Sequence, residues 1–144
     1  MTLEQLLDLW KQDCTVDKTE LADESLKTIT LHGKYMEIYK KEKLILIRLQ
    51  KELPKLKLSK YVFYTIGPDE ETQKLGWKLP PRGAVIKSEV GDYLAADDDL
   101  ISANLKIAIQ QEKVDLLGDI VKEVQNRRWS IRAAIDFMKW TAGG

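Results

Sequence analysis

Apolar residues recur at helical spacing along most of this chain. Leu3, Leu6, Leu7 and Trp10 lie three or four residues apart and make one face of a short opening helix. Thr2, with Gln5 three residues on, has the capping-box pattern that starts such a helix. Residues 13–16 break the pattern. A second helix is expected from Asp17, where Glu20 completes another capping box and acids crowd the first turn. Leu21, Leu31, Tyr35, Ile38, Leu46, Leu49 and Leu53 then follow one broad face. Gly33 weakens this helix by about 1 kcal/mol relative to Ala. Pro54 is expected to end or kink it, since proline lacks the amide donor and restricts the residue before it.

Residues 67–96 change character. Gly67-Pro68-Asp69, Gly76, Pro80-Pro81, Gly83 and Gly91-Asp92 punctuate a stretch that reads as loop, with a possible short strand at 84–87. Asp97-Asp98-Asp99 then opens a third long helix. Leu100, Ala103, Ile107, Gln110, Val114, Leu117, Val121 and Val124 fall on alternating three- and four-residue steps, an a/d pattern over more than three heptads. Ile101, Leu105, Ile109, Leu116 and Ile120 widen that stripe, so the helix packs on more than one neighbour. Arg127-Arg128-Trp129-Ser130 is expected to interrupt it, a last piece carries Ile131, Ile135, Met138 and Trp140, and residues 141–144 fray. The fold class is mainly α: long amphipathic helices, a helical C-terminal region and a loop-rich middle.

The chain has 144 residues, enough for one domain with an added assembly helix. Its charged share, 32%, exceeds the usual quarter, while the net charge is zero. That neutral total hides segregation. Residues 31–60 hold nine bases and three acids, a net of +6, and residues 101–144 carry +2. Residues 1–30 and 61–100 each carry −4. One basic block therefore dominates the field. The single cysteine, Cys14, forms no intrachain disulfide. No apolar run approaches a bilayer span, and Met1-Thr2-Leu3-Glu4 lacks the basic start of a signal peptide. The expected setting is the interior of the cell that makes the protein.

Catalytic parts are few. The one histidine, His32, sits mid-helix, where a packed or contact role is the plainer reading. Cys14 has no second cysteine for a redox pair or thiolate site. Neither G-x-x-x-x-G-K-[ST] nor G-x-G-x-x-G occurs. Asp97, Asp98 and Asp99 read as helix capping before they read as a metal cluster. The expectation is a non-enzyme without cofactor or metal. What remains is binding. From Lys51 to Tyr64, bases (Lys51, Lys55, Lys57, Lys60) interleave with Tyr61, Phe63 and Tyr64. Lysines neutralise phosphates, and aromatic rings stack on unpaired bases at about 1–3 kcal/mol each, so the mixture points to single-stranded nucleic acid. A plainer reading puts those rings in the core and those lysines in solvent. An oligomeric adaptor for acidic protein partners is the alternative function. A small nuclease would rest on Asp97 to Asp99 alone.

Four segments together resemble the UvsY recombination mediators of tailed phages. They are Leu6-Leu7-Asp8-Leu9-Trp10 with Asp13 and Val16-Asp17; Glu24-Ser25-Leu26 followed by Leu31-His32-Gly33-Lys34-Tyr35; Lys60-Tyr61-Val62-Phe63-Tyr64-Thr65; and Tyr93-Leu94-Ala95-Ala96-Asp97 leading to Asn126-Arg127-Arg128-Trp129-Ser130-Ile131. The resemblance runs over nearly the whole length. It implies a protein that binds single-stranded DNA and helps a RecA-like phage recombinase replace a single-strand-binding protein, in the cytoplasm of the infected host cell. It implies a ring-like homo-oligomer, a heptamer, held through the C-terminal helices. The DNA contacts it implies fall on Lys57, Lys60, Tyr61 and Tyr64, with Lys55 adjacent; the basic block adds Lys40, Lys41, Lys43, Arg48 and Lys51 as an expected electrostatic surround. For the subunit seam the heptad stripe of the C-terminal region supplies Leu100, Ile107, Val114, Leu117, Val121 and Val124, with Trp129 beyond it. Roles then divide at 96/97: a helical single-strand-binding domain, 1–96, containing the 67–96 insert, and an oligomerisation region, 97–144. The chain departs from the family where Tyr-Tyr-Thr-Gly-Lys is usual, having Phe63-Tyr64-Thr65-Ile66-Gly67 and then Pro68.

Overall fold

A computed structural model describes residues 1–143, so the expected fraying at Gly144 lies outside the described residues. The chain is mainly helical: α1 Leu3–Asp13, α2 Leu21–Ile66, α3 Glu70–Lys74, α4 Val90–Ala95 and α5 Asp98–Thr141. α1 starts as its sequence dictates. Gln5 N–H donates to Thr2 Oγ1 at 3.1 Å, and Thr2 N–H donates to Gln5 Oε1 at 2.8 Å.

Three boundaries differ from expectation. α2 starts at Leu21, not Asp17, because the Asp17 carboxylate folds onto the Thr19 amide and hydroxyl, at 2.9 and 2.6 Å, in a local turn. It then runs unbroken through Pro54 for 46 residues. Pro54 and Gln50 are both exposed, so the carbonyl that loses its amide partner faces water. Leu49, Leu53 and Leu56, half-buried on the opposite side, favour continuing the helix. α5 likewise passes through Arg127-Arg128-Trp129-Ser130 for 44 residues in all. None of those four is a strong helix breaker, and buried Arg127 turns inward to Glu24 while its three neighbours stay outside.

Packing divides the chain into two compact units, a partition distinct from the division of roles at 96/97. The first combines Met1–Ile45 with the chain from Ile109 onward. Its core is Leu6, Leu31, Tyr35, Leu117, Ile120 and Val124. Trp10 meets Tyr35 edge-on, with centroids 5.4 Å apart. The Arg127–Glu24 and Gln110–Glu42 contacts fix α2 and α5 antiparallel here. Asp13 anchors α1 by accepting from Lys34 Nζ at 2.6 Å and the Tyr35 hydroxyl at 2.7 Å. Burial alone would raise its pKa, but these two donors hold it below the ordinary carboxylate value.

The second unit is Leu46–Ala108. Phe63, Tyr64, Val85 and Val90 are its core, with Tyr61, Trp77, Leu79, Tyr93 and Leu94 packed around them. Residues 84–87 form no strand. The Val85 amide instead donates to the Tyr64 carbonyl at 2.7 Å, satisfying an acceptor that the end of α2 leaves open. Gly67, at φ +113°, follows α2 directly and is the turn glycine of this chain. Among the described residues, no helix is long and apolar enough to cross a membrane.

Candidate nucleic-acid interface

At about 100° per residue, the interleaved run separates into faces once it is helical. Within the second unit, Ile47, Arg48, Lys51, Lys55, Leu58 and Val62 lie on the outer side of α2, and all are exposed. Leu53, Leu56, Lys60, Phe63 and Tyr64 turn inward. Bases and rings that alternate along the sequence therefore no longer share a surface.

Lys60 is 3% exposed. Its ammonium lies 2.7 Å from Asp99 Oδ2, 3.1 Å from Asp97 Oδ2 and 3.9 Å from the centroid of Trp77. The Tyr64 hydroxyl donates to Asp97 Oδ2 at 2.6 Å, and Asp97 Oδ1 accepts from the Leu100 amide at 3.0 Å, capping α5. Burial pushes the Asp97 carboxyl up, but the Tyr64 hydroxyl, the Leu100 amide and the Lys60 ammonium outweigh it and hold the pKa below the ordinary value. Burial first, then the bond to Asp97 and the nearby aspartate charges, push the Tyr64 phenol well above its ordinary value. Lys60 and Tyr64, expected on the DNA path, thus belong to the interior, because Asp97 and Asp99 supply the anions that phosphates were expected to supply. Tyr61 is half-buried against the same core.

The other expected bases are accessible. Lys40, Lys41, Lys43, Arg48, Lys51, Lys55 and Lys57 are all exposed. Lys41 pairs with Glu37 at 2.8 Å, and Lys40 and Lys43 each sit 5.6 Å from the centroid of Tyr39. The remaining four form no ion pair among the described residues. Such ammonium and guanidinium groups can neutralise a phosphate backbone without first breaking a contact. Sequence reasoning missed Trp77 and the two aspartates as partners of Lys60. They lie 17 or more residues away with no shared motif, and only the acidic run itself was visible.

Of the expected seam residues, Leu100, Val114, Leu117 and Val124 are buried within this chain, and Ile107 and Val121 are half-buried. The heptad stripe is thus covered by the chain's own packing. Trp129 alone of that set is exposed, at 57%. It shares a face of α5 with Phe137 and Trp140, eight and eleven residues on, which are 63% and 74% exposed. Among the described residues, no cluster of three or more His, Cys, Asp or Glu is placed to hold a metal ion.

The protein is thus of the long-helix, mainly α class, with a loop-rich segment, a basic outer face on α2 and an exposed aromatic ridge near the end of α5. Over residues 9–144 the chain matches the family described as "Recombination, repair and ssDNA binding protein UvsY". It belongs to the UvsY family. Two crystal structures of the bacteriophage T4 recombination mediator protein UvsY share its fold. One has 22% identity and a TM-score of 0.78, covering 99% of this chain and 98% of that one. The other, from a different lattice, has 18% identity and a TM-score of 0.80, covering 98% and 99%. No curated protein matches the chain.

Proposed function

We propose that this protein is a non-enzymatic recombination mediator. It binds single-stranded DNA as a ring-like homo-oligomer, a heptamer, and promotes loading of a RecA-like phage recombinase in place of a single-strand-binding protein. It does so in the cytoplasm of the infected host cell. The observation that carries the reading is the family match over residues 9–144. Supporting it, Arg48, Lys51, Lys55 and Lys57 project from α2 with no carboxylate partner among the described residues. Repeating four free cations in each of several copies converts weak phosphate contacts into tight binding through effective concentration. The exposed Trp129, Phe137 and Trp140 ridge supplies apolar area for copies to bury.

The test is fluorescence anisotropy of a labelled single strand and of its duplex across a salt titration, with solution mass determined in parallel. Tight binding to the single strand that weakens with salt, by a closed oligomer, is expected. No binding at low salt by an intact oligomer refutes the reading.

A further inference from the structure

A second feature of the Leu46–Ala108 unit lies away from the outer face of α2. Lys57, Gly91, Leu94, Leu100, Ile101 and Asn104 line a hollow of about 340 Å³. That is at the low end of small-ligand pockets, which span about 300–1,000 Å³, and suits one flat ring rather than a helix. Its floor is aliphatic, and none of its lining residues is acidic. The neighbouring hollow over Lys60 and Trp77, by contrast, carries Asp97, Asp98 and Asp99. Lys57, which lines the first hollow, forms no ion pair among the described residues. The Asn104 NH2 donates to the Leu100 carbonyl at 3.0 Å, and its oxygen, Oδ1, accepts no bond among the described residues.

The hollow therefore combines a cation, an apolar floor and one unused acceptor. An aliphatic side chain from a protein partner would use neither polar group. A nucleotide uses all three. We propose that this slot takes one unpaired base of the bound strand, with a flanking phosphate on Lys57 Nζ and an exocyclic amine of the base donating to Asn104 Oδ1. It follows that the protein favours amine-bearing bases over thymine, which has a carbonyl, O4, in place of the amine and whose one donor at that edge, N3–H, is flanked by two carbonyl oxygens. The inference rests on the single-strand-binding reading above.

The experiment compares oligo(dC) with oligo(dT) of equal length on the full-length protein. Both are pyrimidine strands, differing at the ring edge in an amine against a carbonyl, in the proton on N3 and in the thymine methyl. The expected preference for oligo(dC) is about threefold to tenfold per occupied slot, the weight of one hydrogen bond. Two variants locate it. Asn104→Ala removes the acceptor. Gly91→Leu blocks the slot, and a Cβ at Gly91 meets no atom within 4 Å. Asn104→Ala is expected to lower oligo(dC) affinity to the oligo(dT) level, and Gly91→Leu to lower both affinities and abolish the difference, with solution mass unchanged in each. Wild-type binding without preference, or a preference that survives Gly91→Leu, overturns the slot while leaving the mediator reading intact. A change of mass in Gly91→Leu also overturns it, by assigning the hollow to contacts between copies. A wild-type protein that binds neither strand overturns both.

Discussion

Replacing Lys60 with methionine separates a structural lysine from a DNA-binding one. Methionine keeps most of the apolar stem of the side chain and removes the ammonium, with its charge and its N–H donors. Asp97 would then remain buried with the Tyr64 hydroxyl and the Leu100 amide but no cation. Removing one partner of a buried pair costs about 3–5 kcal/mol. Asp99, whose side chain is 55% exposed, regains water when Lys60 is lost, so the lower end, about 3 kcal/mol, is expected. For a chain of this size that lowers Tm by about 10 °C. The assay is thermal and urea unfolding at fixed protein concentration, since assembly makes Tm concentration-dependent. Pairing Lys60→Met with Asp97→Asn should recover part of the loss, because the double variant leaves no uncompensated charge. A Lys60→Met protein that melts within a degree or two of wild type yet binds single-stranded DNA poorly would refute the reasoning. It would return Lys60 to the DNA path.

Four further outcomes are expected. Lys51→Ala with Lys55→Ala should weaken single-strand binding about tenfold at fixed salt, alike for all sequences, and leave Tm unchanged; equal affinity in anisotropy would remove the outer face of α2 from the interface. Phe137→Ala with Trp140→Ala should reduce the sedimenting mass while helical circular dichroism stays intact, because both rings are exposed in the single chain; an unchanged mass would place assembly elsewhere. Val114→Asp should unfold the subunit rather than merely dissociate it, since the residue is 6% exposed within one chain, and a folded monomer by near-UV circular dichroism would contradict this. Stability should fall on both pH limbs. The depressed Asp13 and Asp97 groups stabilise above the unfolded carboxylate value of 3.8, and that contribution is lost as pH falls through their lower folded values. The raised Tyr35 and Tyr64 phenols stabilise below the unfolded value of 10.0, and theirs is lost from there upward. A urea midpoint flat from pH 3 to 11 would contradict both limbs.

The periodic signals were legible and the partners were not. Thr2 and Gln5 announced α1, and the heptad positions of α5 announced a seam, because both depend on residues three or four apart. What covers that seam depends on where α2 and α1 lie, which spacing does not encode. Thus Val114 and Leu117 were recognisable as apolar contacts, but not as contacts within the chain. Asp17 misled because its carboxylate closes a local turn on Thr19 instead of capping a helix, and Pro54 misled for a reason closer to that of the seam. Local propensity is worth a few kcal/mol at most, and burial of Leu49, Leu53 and Leu56 on one continuous helix outweighs it. At the candidate site, Lys55 and Lys57 kept their expected exposure. Lys60 did not, since its fate was decided by an aspartate pair beyond the loop.

The buried position of Lys60 also changes how the basic block should be counted. Of its nine bases, Lys34, Lys41 and Lys60 already have carboxylate partners, leaving six to meet phosphates. Single-stranded DNA releases about 0.7 counterion per neutralised phosphate, so this block in one subunit cannot contribute a salt exponent above about 4. If those bases form the contact surface, a measured exponent well above that value counts subunits: it requires one strand to touch more than one copy at once.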